Sequence, residues 1–98
     1  MSLEVGFRAE ARAEFVEAAA WYEARRPGLG AEFIAEIERC IASAAQKPEQ
    51  YPVVHGSLRR IVARRFPYSI YFRAEPGRIV VFGVFHGSRD PRVWQQRR

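Results

Sequence analysis

The chain has 98 residues, of which 48% are hydrophobic and 28% charged, so its length and composition are those of one small globular domain. The single cysteine, Cys40, excludes an internal disulfide, and the lack of GxxxxGK, GxGxxG and clustered metal-ligand motifs excludes the common nucleotide and zinc sites. We therefore expect a single domain over residues 1–98, located in the cytoplasm, with no cofactor, no metal and no membrane segment.

Hydrophobic periodicity predicts a strand and then two helices in the first half of the chain. Alternation over Leu3–Phe7 indicates a short strand with one buried face. Over residues 9–26 apolar side chains recur at helical spacing, and Pro27 and Gly28 end this amphipathic helix. A second helix is predicted over Ala31–Gln46, so that the two helices form an antiparallel hairpin.

The second half of the chain predicts three strands. Prolines and glycine make Lys47–Ser57 a loop, and strands follow at Leu58–Arg65, Tyr68–Ala74 and Ile79–His86. The last strand is an almost continuous apolar run, as expected for a strand covered on both faces. Residues 91–96 are predicted to form a short terminal helix that begins with a proline.

These elements predict an α+β fold of order βααβββ with a short C-terminal helix. The helical hairpin should pack on one face of a small, mainly antiparallel sheet, because neither layer buries its apolar side alone. The core is predicted to include Val5, Phe15, Tyr22, Phe33, Ile37, Ile41, Ile70, Phe72, Val81 and Val84.

Positive charge is concentrated in the second half of the chain. Residues 1–58 carry five arginines and Lys47 against nine glutamates, a net charge of −3. Residues 59–98 carry ten arginines against Glu75 and Asp90, a net charge of +8. Because arginine forms bidentate contacts with phosphate and carboxylate groups, this asymmetry predicts a surface that binds a polyanion or an acidic partner.

Two segments contain the candidate site residues. In the first arginine-rich strand, the side chains lie on both faces, and two interpretations stay open: an anion-binding surface, or ion pairs with helix glutamates. In the segment of residues 86–91, His86 can transfer a proton, Arg89 can bind an anion, and Asp90 is placed to cap the terminal helix. Trp94 is a candidate stacking ring. The predicted contact residues are Arg59, Arg60, Arg64, Arg65, Arg89, Arg92 and Trp94.

The order of elements, the FPYSIYF strand at residues 66–72 and the VFHGSRDP segment at residues 84–91 resemble the RelE/ParE superfamily of bacterial toxins. The resemblance covers nearly the whole chain. It implies the toxin component of a type II toxin–antitoxin, or plasmid-stabilisation, module with a cognate antitoxin as partner. ParE-like members inhibit DNA gyrase and are not nucleases, whereas RelE-like members cut mRNA on the ribosome.

Within this resemblance, individual residues indicate which of the two branches the chain is more similar to. A RelE-like endonuclease would use Arg60 and Arg89 for phosphate charge and His86 for proton transfer. The chain has Val62 and Ser69 where that branch has basic residues, and its C-terminal residues include no tyrosine. The HGSRDP ending is more similar to ParE, so we favour a gyrase inhibitor that acts through protein contacts. The open alternatives are a ribosome-dependent mRNA endonuclease and a non-toxic, basic nucleic-acid-binding domain.

Overall fold

Within the residues that the structure describes, 2–88 and 90–96, the chain forms a five-stranded sheet with two long helices on one face. The structure is a computed structural model. Its elements are β1 (Glu4–Phe7), α1 (Ala9–Arg25), α2 (Leu29–Gln46), β2 (Val53–His55), β3 (Leu58–Val62), β4 (Tyr68–Glu75), β5 (Arg78–His86) and α3 (Arg92–Gln95). The sheet order is β1-β5-β4-β3-β2, in which β1 pairs with β5 in parallel and the other pairs are antiparallel. The predicted α+β fold is confirmed.

The main core lies between the helices and the sheet. Seven of the ten predicted core residues are buried there: Phe33, Ile37, Ile41, Ile70, Phe72, Val81 and Val84. Phe15 and Tyr22 are only half-buried and pack against this core. The prediction for Val5 is wrong, because β1 is an edge strand and leaves this side chain 42% exposed.

Helix α2 begins two residues earlier than predicted because α1 supplies its cap. Gly28 has φ +88°, a left-handed conformation that glycine adopts without steric cost. The Glu23 carboxylate accepts hydrogen bonds from the N–H groups of Gly28 and Gly30, each at 2.9 Å. These bonds satisfy donors that an uncapped helix start leaves without partners. The helical period alone does not detect a cap supplied by the preceding helix.

The predicted strand Leu58–Arg65 is too long. Strand β3 ends at Val62, because the chain then turns toward β4. The N–H of Ala63 donates to the carbonyl of Tyr68 at 2.9 Å, and Arg65 takes up a left-handed conformation with φ +70°.

The predicted loop Lys47–Ser57 is not entirely irregular. It contains a 3₁₀ turn at Pro48–Gln50 and the three-residue strand β2, so the sheet has one strand more than predicted. Strand β2 pairs with β3, with Val53 opposite Arg59. Three residues are too few to establish a period of two.

Strand β5 is buried over seven consecutive residues, as its apolar run predicts. One side faces the helices. The other side belongs to a second cluster on the sheet face opposite the helices, which we call the outer face: Leu58, Tyr71, Val80, Phe82 and Phe85. Among the described residues, no helix has the length and apolar character needed to cross a membrane.

A β-bulge at Phe82 shapes the outer face. In the pairing with β4, Phe72 lies opposite Val81 and Tyr71 opposite Gly83, so Phe82 is the additional residue. A Cβ atom at Gly83 would lie 2.7 Å from Cε2 of Phe85. Glycine is therefore needed at position 83 for this aromatic ring to pack over the strand.

Candidate interaction surfaces

The four arginines of the predicted basic strand do not form one cluster. Arg59 faces the helix side, where its Nη1 donates to the carbonyl of Tyr51 at 2.6 Å. Arg60 lies exposed on the outer face, and its guanidinium forms no hydrogen bond or ion pair with the part of the chain that the structure describes. Arg64 and Arg65 lie in the exposed turn after β3.

Glutamates of α2 hold this turn in place. Glu32 accepts the Nη2 of Arg65 at 2.6 Å, and Glu36 accepts the backbone N–H of Arg64 at 2.6 Å. Glu36 also pairs with Arg39 at 2.9 Å, and its side chain is 12% exposed. These hydrogen bonds, that of Arg39 above all, lower the pKa of Glu36 from 4.5 to about 2. Of the two interpretations, an ion pair with a helix glutamate therefore applies to Arg65. Arg60 is exposed and is available to bind an anion.

The outer face combines aromatic rings with guanidinium groups. The Cζ atoms of Arg8 and Arg73 each lie 4.8 Å from the centroid of the Phe82 ring, which is 5% exposed. Arg60 lies directly opposite Tyr71 on the same face. A planar cation over a ring is a favourable arrangement. Both guanidinium groups also pair with glutamates, Arg73 with Glu75 at 2.6 Å and Arg8 with Glu10 at 3.8 Å. Arg8 and Arg73 are not among the contact residues predicted from the sequence, because only the folded sheet brings them to one ring.

A cleft of about 560 Å³ lies between α1 and the adjoining ends of β4 and β5. We call it the acidic cleft. Its lining includes Glu14, Glu17, Trp21, Tyr22, Tyr68 and His86. The rings of Tyr22 and Tyr68 are 6.1 Å apart, and burial raises the pKa of the Tyr22 hydroxyl. Glu14 Oε1 accepts the N–H of Val84 at 3.1 Å, which ties α1 to β5. This cleft was not predicted from the sequence either, where its one signal is the pair of glutamates one turn apart on the first helix.

His86 faces the helix side of the sheet. Its ring stands edge-on to Tyr68 with centroids 5.3 Å apart, and both side chains line the acidic cleft. Its Nδ1 accepts the N–H of Ser88 at 3.0 Å and lies 2.8 Å from the hydroxyl oxygen of the same residue. Arg60 lies on the other face, and the structure therefore does not bring these two candidate nuclease residues together.

The C-terminal candidates are only partly described. Asp90 Oδ1 accepts the N–H of Arg92 at 2.9 Å, which confirms the predicted cap, and Oδ2 pairs with the Arg92 guanidinium at 2.7 Å. This pairing lowers the pKa of Asp90. The predictions for Arg89 and for the ring of Trp94 lie outside the described residues. Across residues 2–88 and 90–96, no group of three or more His, Cys, Asp and Glu side chains is arranged to hold a metal ion.

Comparison with known proteins gives one family and several related folds. Residues 5–91 match the sequence model of a family described as the ParE toxin of type II toxin–antitoxin system, parDE. The chromosomal ParDE toxin–antitoxin system of P. aeruginosa includes a similar chain, with a TM-score of 0.75 and 17% identity, covering 87% of this chain and 96% of that one.

The toxin–antitoxin complex RelBE2 of Mycobacterium tuberculosis also includes a similar chain. Its TM-score is 0.58 at 18% identity, and the match covers 88% of this chain and 92% of that one. A comparison with curated protein sequences finds no match. At these identities the structural similarities show a shared fold.

Proposed function

The chain belongs to the ParE family of toxins from type II toxin–antitoxin systems, and we propose that it inhibits DNA gyrase through protein contacts until a cognate antitoxin binds it. The family match over residues 5–91 and the ParE-like ending at residues 86–91 support this branch. On this proposal the toxin acts in the cytoplasm, where gyrase acts on DNA, in a module that can stabilise a plasmid.

The observation that carries the proposal is the separation of Arg60 from His86. Cleavage through an RNA 2′-hydroxyl needs proton-transfer groups and cations around one phosphate, within hydrogen-bond reach of it. Arg60 is on the outer face of β3, and His86 is on the helix face of β5, two strands away. Neighbouring strands are about 4.8 Å apart and side chains on opposite faces point away from each other. This arrangement supports a toxin that binds its target without cutting RNA.

We assign the gyrase contact to the outer face and the arginines beside it. Arg60 is exposed on this face, and the guanidinium groups of Arg8 and Arg73 cover Phe82 on the same face. Arg64 is exposed in the turn after β3, where Glu36 of α2 holds its backbone N–H, and we include it as a further proposed contact. Arg59 and Arg65 have partners within the chain and are assigned a supporting role. At the C terminus the proposed contacts are Arg89, Arg92 and Trp94.

The second candidate is a ribosome-dependent mRNA endonuclease. The observation in its favour is the outer face itself, where Arg8 and Arg73 flank Phe82 and Arg60 lies nearby on the same face. Guanidinium groups that bind phosphates are a usual part of an RNA-binding surface. His86, the proton-transfer group expected for this candidate, lies on the helix face and not on this surface.

Induction in bacteria followed by two measurements tests the two candidates. We expect growth arrest with intact messages and a DNA-damage response, and inhibition of supercoiling by purified gyrase. Arg60→Ala should weaken this inhibition, whereas Lys47→Ala, which removes one exposed positive charge away from the outer face, should not. Cleaved messages together with fully active gyrase would reject the proposal in favour of the nuclease.

A further inference from the structure

Two carboxylates line the acidic cleft on the side of α1. The protein carries a net charge of +5, yet Glu14 and Glu17, one turn apart on α1, both line this cleft. His86, on the opposite wall, accepts a hydrogen bond at Nδ1. We propose that the cleft binds an arginine side chain of the cognate antitoxin. The proposal rests on the proposed function in one respect, that an antitoxin is the partner.

The walls of the cleft favour a guanidinium group. Trp21 is 52% exposed, its ring is edge-on to Tyr22 with centroids 5.2 Å apart, and Tyr68 completes an aromatic lining. Cations are attracted to the faces of such rings, and a guanidinium also stacks on them. The chain's own Arg25 already covers one face of the Trp21 ring, with its Cζ 4.0 Å from the centroid, so the rings of Tyr22 and Tyr68 provide the aromatic lining for a partner's guanidinium.

Part of the lining belongs to the main core or packs against it, namely Ala18, Val84, Tyr22 and Tyr68, so this part of the cleft is formed before a partner binds. The hydrogen bond from Val84 fixes one carboxylate, Glu14, on the sheet side. The rings of Tyr22 and Tyr68 each pack on Phe33, with centroids 5.1 Å from it. A volume of about 560 Å³ lies within the range of roughly 300–1,000 Å³ that ligand pockets have, which gives room for one long side chain and the backbone beside it.

A protein side chain fits better here than a free anion or a nucleic acid. The cleft repels phosphates through Glu14 and Glu17, whereas the outer face attracts them through Arg60 and its neighbours. An antitoxin segment that presents acidic residues to the outer face and an arginine to the cleft would meet two surfaces of opposite charge. Such a pair of contacts fixes the direction in which the segment lies on the toxin, because the reversed direction places like charges together.

The first experiment measures the affinity of the antitoxin for two toxin variants. Glu17→Gln removes the exposed carboxylate of the cleft, and Glu49→Gln makes the same change of charge on the 3₁₀ turn before β2. We expect Glu17→Gln to weaken binding about five- to tenfold and Glu49→Gln to leave it unchanged. Melting curves of the free variants check that both fold. Equal affinities for the two variants would overturn the proposal.

The second experiment identifies the arginine. Each arginine of the antitoxin is replaced by glutamine and titrated against the wild-type toxin and against Glu17→Gln. One of these substitutions should weaken binding to the wild type at least as much as Glu17→Gln does, and it should have a smaller effect against Glu17→Gln, because that variant has already lost the interaction with the Glu17 carboxylate. If every arginine contributes equally in both backgrounds, the proposal fails.

Neither titration involves gyrase, so the outcome does not depend on the target of the toxin. A wild-type toxin that leaves gyrase active would reject the proposed function and leave the assignment of the cleft standing. Coupling between Glu17 and an antitoxin arginine would support the cleft, whatever the cellular target is.

Discussion

The two faces of the sheet differ in what covers their apolar side chains. On the helix face, apolar residues of α2 cover apolar residues of β4 and β5, and Phe33 and Ile37 are fully buried. On the outer face, the guanidinium groups of Arg8 and Arg73 cover the Phe82 ring. On the helix face, the removal of apolar area from water stabilises the fold. On the outer face, the arginine side chains that cover the ring keep their charged groups at the surface.

This difference suggests that the helix face stabilises the fold and the outer face contacts partners. Packing on the helix face cannot change without destabilising the fold, because close-packed side chains leave little room to move. The guanidinium groups of the outer face are surface groups that a partner can contact directly. Substitutions on the two faces should therefore differ in size and in the property that they change.

The largest effect is expected on the helix face. Ile37→Ala should lower the free energy of unfolding by about 2–5 kcal/mol, because it leaves a cavity in a site that is 0% exposed. Val62→Ala on the outer face removes methyl groups from a side chain that is 63% exposed and should cost less than about 0.5 kcal/mol. Urea denaturation measures both. Similar losses in the two variants would contradict the contrast between the faces.

The next effect depends on pH. The folded-state pKa of Glu36 is about 2, below the ordinary value of 4.5, so its ionised form stabilises the fold above pH 4.5 and this contribution is lost as the pH falls toward 2. After allowance for solvent screening we expect about 1–2 kcal/mol. Glu36→Gln should lower stability at pH 7 by this amount, and the difference from the wild type should disappear as the pH falls through 2. A difference between the two proteins that does not change with pH would contradict this prediction.

A smaller effect is expected from the cover of the outer face. Arg73 and Phe82 should be coupled by about 0.5–1 kcal/mol, because the guanidinium lies over the ring. A double-mutant cycle of Arg73→Gln and Phe82→Leu, followed by urea denaturation, measures this coupling. Because Arg73→Gln removes the ion pair with Glu75 in both backgrounds, the contribution of that pair drops out of the coupling energy. Strictly additive losses would show that the ring gains nothing from the cation above it.

The smallest effect on stability is expected at Arg60. Arg60→Gln should change the free energy of unfolding by less than about 0.5 kcal/mol, because the side chain is exposed. It should instead slow association with the antitoxin and reduce the salt dependence of the association rate, since surface charges steer encounter. Lys47→Gln is the matched control. Stopped-flow association that is independent of salt in the wild type would refute the electrostatic role.

Local periodicity was enough to predict most of the fold. The apolar stripe of α2 and the continuous apolar run of β5 each occupy one stretch of sequence, and both predictions are confirmed. Strand β2 and the early end of β3 could not be predicted in this way. They depend on a three-residue pairing and on a turn held by Glu32 and Glu36, which lie on a helix far away in the chain.

The candidate surfaces were less predictable than the fold. Charge patterning identified Arg60 as part of a basic surface, but the alternation of the strand alone did not show that His86 would face the other side. The acidic cleft joins α1 to the ends of β4 and β5, and the outer face joins Arg8 to Phe82. Both arrangements require that β5 lies between β1 and β4 in the sheet. No local sequence pattern predicts this strand order.

The parallel pairing of β1 with β5 also determines when the protein can fold during its synthesis. Glu4 lies opposite Arg78, so the first strand reaches its neighbour only after most of the chain has been translated. Until then the apolar stripe of the helical hairpin has no central strand to cover it. Pairing between such distant segments is intrinsically slow, and the nascent chain stays open to capture by chaperones or proteases. A ribosome that stops before residue 78 therefore releases a polypeptide without a toxin fold.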